Sequence, residues 1–159
     1  MAGRYRDNTD GTVTDVQTGL QWMRFSLGQE WKGGTCAGEA KSYTWQQALD
    51  AAAALNRRGG YAGYRDWRVP TKEEVQTLIY CSSGLPKTWN DTGKPCEGDY
   101  ERPTIYKPAF PNTPSWWYWS SSAYADNPDN AWYVNFGSGS ANALSKSYDL
   151  RARLVRGGQ

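Results

Sequence analysis

The sequence predicts an α+β domain of antiparallel strands, two helices and a long loop region. Three observations carry this. Arg4 to Arg24 is punctuated by turns at hairpin spacing. Two capping boxes, Thr44 with Gln47 and Thr71 with Glu74, each precede a helical apolar repeat. Near the C terminus, Trp132, Val134 and Phe136 alternate with Ala131, Tyr133 and Asn135, the period of a strand with one buried face. At 159 residues the chain reads as one domain over 1–159, long enough to bury its own core.

In chain order, Arg4 to Arg24 is an antiparallel meander. Asp10-Gly11 and Thr18-Gly19 mark its turns, and Val13, Leu20 and Trp22 point inward. Asp7, Asn8, Asp10 and Asp15 lie close enough for a calcium loop, but the fixed alternate ligands and distal Glu of an EF-hand are missing. Asx and Gly turn chemistry explains the same residues more simply. Phe25 to Ser42 is a Gly-rich connection with few periodic cues. The first helix starts after Thr44, buries Trp45, Ala48, Leu49, Ala52 and Leu55, and ends at Arg57-Arg58-Gly59-Gly60. Tyr61 to Val69 leads into a short extended segment, because the residue before Pro70 is pushed away from helix. Here Arg65, Asp66, Trp67 and Arg68 read as structural, an Arg–Asp pair with a Trp anchor. The second helix starts after Thr71, turns Val75, Leu78 and Ile79 inward, and stops near Cys81.

Residues 82 to 118 form a long irregular region, and seven of the eight Pro lie between 86 and 128. A loop of that length inside a compact domain is usually functional or cross-linked. Trp116-Trp117-Tyr118-Trp119 re-enters the sheet. After Phe136 a polar run of Gly, Ser and Asn reads as a display loop, followed by a last strand over Leu150 to Val155.

Composition narrows the function. Nine Trp and eleven Tyr stand against three Phe, and rings with a polar handle suit surfaces that hold sugars, peptides or proteins. The net charge of +2 gives no field that points to nucleic acid or an anionic membrane. No apolar run approaches a membrane span, so no membrane insertion is expected. The chain has no His, which removes the commonest general base and metal ligand. Met1-Ala2-Gly3 leads straight into a charged strand with no secretory signal, so a cytosolic protein or an excised mature domain is expected. Of Cys36, Cys81 and Cys96, the last two bracket a polar, turn-rich segment. A Cys81–Cys96 disulfide there would contribute roughly 3 kcal/mol on the chain-entropy model. The alternative is two buried thiols, and Cys36 is left over in either case.

Several blocks together carry a resemblance. They are Asp7-Asn8-Thr9-Asp10-Gly11-Thr12-Val13-Thr14-Asp15, Thr18-Gly19-Leu20-Gln21-Trp22, and Gly60-Tyr61-Ala62-Gly63-Tyr64-Arg65-Asp66-Trp67-Arg68-Val69-Pro70-Thr71. Phe110-Pro111-Asn112-Thr113-Pro114, Trp119-Ser120-Ser121-Ser122, Ala131-Trp132 and Arg153-Leu154-Val155-Arg156 complete the set. In this order the chain resembles the Lcl C-terminal domain family, over almost its whole length. The resemblance implies a C-type-lectin-like fold, with two helices flanking a small twisted antiparallel sheet and paired N- and C-terminal strands. It also implies an exported, cell-surface or extracellular parent whose signal or anchor lies outside this sequence. Sulfated-polysaccharide binding, trimer formation, and use as a variable receptor in diversity-generating retroelements are associated with such domains. Arg68-Val69-Pro70-Thr71-Lys72-Glu73-Glu74 is also similar to a block of the formylglycine-generating enzyme fold. That chemistry depends on a reactive Cys pair near the C terminus, and no Cys follows position 96.

Three functions compete on these residues. The favoured one is non-catalytic binding of a glycan, sulfated or not, or of a protein ligand on another cell or surface. Its candidate residues are Tyr124, Asp126, Asn127, Asp129, Asn130, Tyr133, Asn135, Ser138, Asn142 and Tyr148, a Tyr, Asn and Ser mixture typical of adaptable recognition surfaces. Lys146, Arg151, Arg153 and Arg156 add basic charge, nearly balanced by Asp126, Asp129 and Asp149. No cofactor is required; calcium stays open. An enzyme is disfavoured, since Glu73 and Glu74 point to different helix faces and Glu74 suits a cap. The third is a homo-trimerising cap that packs Trp116, Trp117 and Tyr118 between subunits. Trp89-Asn90-Asp91 spells a tripeptide of calcium-dependent lectins, but inside the long loop it reads as an Asx turn.

Overall fold

Both helices start where the sequence places them. In the computed structural model, which describes residues 1–157, the Thr44 hydroxyl accepts from the Gln47 backbone and the Gln47 side chain reaches back to Thr44. Thr71 and Glu74 form the same reciprocal pair, so each first turn has its free N–H groups satisfied. The first helix, α1, runs Trp45–Arg57; the second, α2, runs Lys72–Gln76. α2 is shorter than expected. Thr77, Leu78 and Ile79 continue through tighter bonds to Glu74, Val75 and Gln76. Ile79 and Tyr80 are then captured as extended chain opposite Ile105 and Trp89.

The strands are β1 (Tyr5–Asp7), β2 (Thr12–Asp15), β3 (Gln21–Met23), β4 (Glu30–Lys32) and β5 (Thr35–Ala37), then β6 (Trp117–Ala123), β7 (Asn130–Asn135), β8 (Ala141–Ser145) and β9 (Val155–Arg156). The meander forms as expected and takes β9 onto its edge, giving the antiparallel order β1-β2-β3-β9. The terminal strands therefore share a sheet. The acidic residues of the meander hold turns and pairs: Asp7 accepts from the Thr9 N–H, Asp10 from the Thr12 N–H and hydroxyl, and Asp15 from Arg4. Two elements were illegible. β4 and β5 form a hairpin within the Gly-rich connection, turned at Gly33 and Gly34, both at positive φ. β8 arises from the polar run after Phe136, pairing with β7 from Asn130↔Ser145 to Val134↔Ala141.

β6, β7 and β8 make a three-stranded sheet that is covered on both sides. Tyr118, Val134 and Phe136 enter one core with Val13, Trp22, Ile79, Ile105 and Phe110. Trp119, Ala131 and Tyr133 enter a second with Ala48 and Ala52 of α1, Trp67 and Leu154. The expectation of a single buried face is thus corrected. Trp132, assigned to that face, is only partly buried, and the alternate residues Ala131 and Tyr133 are buried behind it. Leu150 to Val155 is not a continuous strand either. It threads between the sheets through single bridges, Leu150 to Tyr43 and Arg151 to Tyr118, and only its end enters β9, where Val155 also bridges to Arg68.

Cys81 and Cys96 form the expected disulfide and Cys36 is a buried free thiol. The loop between the bridged cysteines is anchored by Trp89, whose ring packs on Tyr5, Tyr80 and Tyr106. Asn90 is buried in an Asx turn, accepting from Thr92 and donating to the Lys94 carbonyl. Farther along, Arg24 donates to the carbonyls of Pro108 and Ala109, and Arg153 to those of Met23 and to the Thr113 hydroxyl. Burial lowers the pKa of Arg153.

The Arg65–Arg68 block buttresses the fold, but its partners differ from the expected internal pair. Asp66 accepts from Arg156 at 2.7 and 3.2 Å, Arg68 forks onto Glu74 at 2.6 and 2.8 Å, and Arg65 bonds the last carbonyls of α1. Trp67 is buried, and its backbone exchanges two bonds with the Asn56 amide.

Two predictions follow from the ion pairs. Asp15 and Arg4 are both buried and doubly bonded, so Asp15→Ala strands a cation and lowers stability by about 3–5 kcal/mol. Asp66 is 59% exposed, so Asp66→Ala lowers it by less than about 1 kcal/mol; urea unfolding compares them. For Glu74, burial pushes the carboxyl up, but bonds from Arg68 and Thr71 outweigh it and the net shift is downward. Its stabilisation is therefore complete above the unfolded value, about pH 4.3, and disappears as pH falls through the lower folded value. Glu74→Gln should flatten that part of the acid limb in unfolding midpoints measured across the acid range.

Candidate functional site

The serine run Ser120-Ser121-Ser122 explains how the C-terminal hairpin is held. The register between β6 and β7 shifts between Trp119 and Ala123, and a bulged strand bends and re-aims its side chains. The Ser120 hydroxyl donates across to the Trp132 carbonyl, and its backbone carbonyl accepts from the Trp45 indole. The Ser121 N–H donates to Pro70, and the Ser122 hydroxyl accepts from the Lys72 N–H. The first residues of both helices therefore meet the same strand. Trp45 begins α1, and its N–H bonds the Lys146 carbonyl; Lys72 begins α2.

This places two ammonium groups on two indoles. Lys72 Nζ lies 3.7 Å from the Trp132 ring centroid and Lys146 Nζ lies 4.1 Å from that of Trp45, both in cation–π range. Tyr124 meets Trp132 edge-on at 5.2 Å. Beyond these rings the chain turns from β6 to β7. The turn is closed by bonds from the Tyr124, Asn127 and Asn130 N–H groups and by the Asn127 side chain, which accepts from the Asp129 N–H. The Asp129 carbonyl accepts from Lys146, so the segment after β8 lies against the turn. Asp126, Asp129 and Tyr148 are exposed there. Among the described residues, neither Asp126 nor Asp129 forms an ion pair.

The tip thus gathers Tyr124, Asp126, Asn127, Asp129, Asn130 and Tyr148 from the candidate set. The rest lie elsewhere. Tyr133 is buried with Trp117 stacked on it at 4.9 Å, and burial raises its pKa. It supports the sheet and does not face solvent. Asn135 and Ser138 belong to the β7–β8 turn at the opposite end, where Asn135 Oδ1 accepts from Gly137 and Ser138 bonds Ser140. That turn is pressed onto the disulfide: a Cβ on Gly139, at φ +88°, would meet Ile79 at 3.0 Å and Cys96 Sγ at 3.1 Å. Asn142 is exposed on β8 opposite Tyr133, away from the tip.

Lys72, Trp45 and Trp132 were missed as members of the site because their meeting depends on tertiary contact. The basic set also shrinks. Arg153 is buried, and Arg156 is tied to Asp66 and Gln21, which leaves Lys146 and Arg151. Of the aromatic run, Tyr118 is buried, so only Trp116 and Trp117 are exposed. Among the described residues no group of three or more His, Cys, Asp or Glu is arranged to hold a metal ion. None of the described helices is long and apolar enough to cross a membrane. The tip can offer ring faces, two ammonium groups and open carboxylates and amides, which is the chemistry of non-covalent recognition.

Residues 11–156 match the family model described as the Lcl C-terminal domain. No curated protein matches the chain.

The division between displayed and supporting residues is measurable. Tyr133→Ala should destabilise the domain by about 3–5 kcal/mol, as for other buried aromatics. Asp126→Ala and Asn142→Ala should stay within about 0.5 kcal/mol. Thermal or urea unfolding of the three variants decides it.

Proposed function

The chain belongs to the Lcl C-terminal domain family, and from that premise we propose a non-catalytic binding and adhesion domain of an exported, surface-facing bacterial or phage-like protein. Its ligand is a glycan or a protein surface held at the β6–β7 tip. The observation that carries this reading is the pairing of Lys72 with Trp132 and of Lys146 with Trp45 beside the exposed turn. Ring faces stack on the apolar faces of sugars or side chains, while Asn and Asp groups fix orientation through hydrogen bonds. The two ammonium groups favour an anionic polymer such as a sulfated polysaccharide, and Asp126 and Asp129 temper that preference. The C-type-lectin-like character of the fold belongs to the same proposal, as does the absence of catalysis.

The test is a binding screen against neutral and sulfated glycans at two salt concentrations, with and without a chelator. Binding that weakens with salt and ignores the chelator is expected. Lys72→Ala and Lys146→Ala should each weaken it by up to about fivefold, the range for exposed charge interactions. Glycan binding that is indifferent to both substitutions and to Tyr124→Ala would place the ligand elsewhere on the domain.

A further inference from the structure

Near the start of β6, whereas the tip follows its end, a pocket of about 560 Å³ opens between Gln29, the 36–40 segment, Asn112, Pro114 and Arg151. Its amide walls are already engaged. Gln29 accepts from the Ser26 N–H and donates to the Gly38 and Asn112 carbonyls. Asn112, at φ +56°, donates to the Thr35 hydroxyl and the Cys36 carbonyl. Arg151 differs. Its Nε is buried with no hydrogen-bond partner, and among the described residues it forms no ion pair. Its guanidinium carbon lies 5.1 Å from the centroid of Trp116, which is 50% exposed. Across the pocket Glu39 is exposed and, among the described residues, also free of any ion pair.

Arg151 is only partly buried, so its terminal N–H groups stay open to the pocket while Nε is enclosed, and a guanidinium with no carboxylate partner can fork onto an arriving one in two parallel bonds. An exposed indole beside it offers a flat face to the C–H side of a pyranose. Glu39, an acceptor only, takes hydroxyl donors. A dianionic group would meet stronger repulsion from Glu39 than a single carboxylate does, and an aliphatic amino acid such as alanine has no ring to place on Trp116. We propose that this pocket binds an acidic monosaccharide unit, with its carboxylate on Arg151, its ring beside Trp116 and its hydroxyls toward Glu39. The site is separate from the tip, so either can fail without the other.

The experiment is an NMR titration of the ¹⁵N-labelled protein with D-glucuronate, D-glucose and alanine. Glucuronate should shift the Arg151 Nε–H, the Trp116 indole N–H and the Gln29 amide, and glucose should bind about tenfold more weakly or worse. Arg151→Met should lose about tenfold or more of the glucuronate affinity, with Glu101→Ala, an exposed residue in neither site, unchanged. If Arg151→Met is unfolded by circular dichroism, Arg151→Lys, which keeps the charge but loses the fork, takes its place with the same expectation. The proposal is overturned by silence with glucuronate, by shifts mapping away from Arg151, by glucose or alanine matching glucuronate, or by folded Arg151 variants that bind normally.

Discussion

The fold depends on one constraint: the β6–β7–β8 sheet must be covered on both faces. At the paired positions Tyr118↔Val134 and Trp119↔Tyr133, successive residues point into different cores. A strand pair buried in this way cannot slip by one residue without exchanging two sets of large aromatics. The covering elements are then placed in turn. α1 lies over Trp119 with its small Ala48 and Ala52 face, and α2 with the chain after it brings Val75, Leu78 and Ile79 to the other side.

The tip is a consequence of that arrangement. With a helix start on each side of the sheet, the serines of β6 bond to both, and Lys72 and Lys146 come to lie over indoles. The surface proposed for recognition is hydrogen-bonded to the scaffold beneath and open above. Its hydrogen-bonded turn and flanking rings are held by the scaffold, while the groups that face solvent make few internal bonds. That division suits a domain that holds a ligand by preorganised stacking.

The long loop region is ordered by an unusual use of arginine. Arg24 and Arg153 are buried, and their guanidinium groups take up carbonyls and a hydroxyl of the 108–113 segment and of Met23. Arg24 also reaches Asp7, while Arg153 rests on the Phe110 ring at 4.9 Å. Backbone that lacks regular structure still needs partners when buried, and a five-donor side chain supplies several at once. The disulfide and the aromatic cluster around Trp89 perform the same service for residues 81–96.

What the sequence by itself determined lies within short stretches of chain. The two capping boxes, the meander turns, the Asn90 Asx turn and the disulfide were readable because each is complete within a few residues or a single closed loop. Five of the binding candidates, Tyr124, Asp126, Asn127, Asp129 and Asn130, lie together at the tip because they are neighbours in sequence, although the turn itself was not read. Tertiary structure decided whatever depends on the opposite surface. Polar β8 became a strand because β7 offered it an edge, and α2 ended early because Trp89 and Thr104 captured the chain beyond it. Tyr133 went inside because α1 covers that face, and Arg68 chose Glu74 while Asp66 chose Arg156. Local hydrogen bonds are encoded by neighbours in sequence. Burial and ion-pair partners are chosen by neighbours in space, which periodicity alone does not identify.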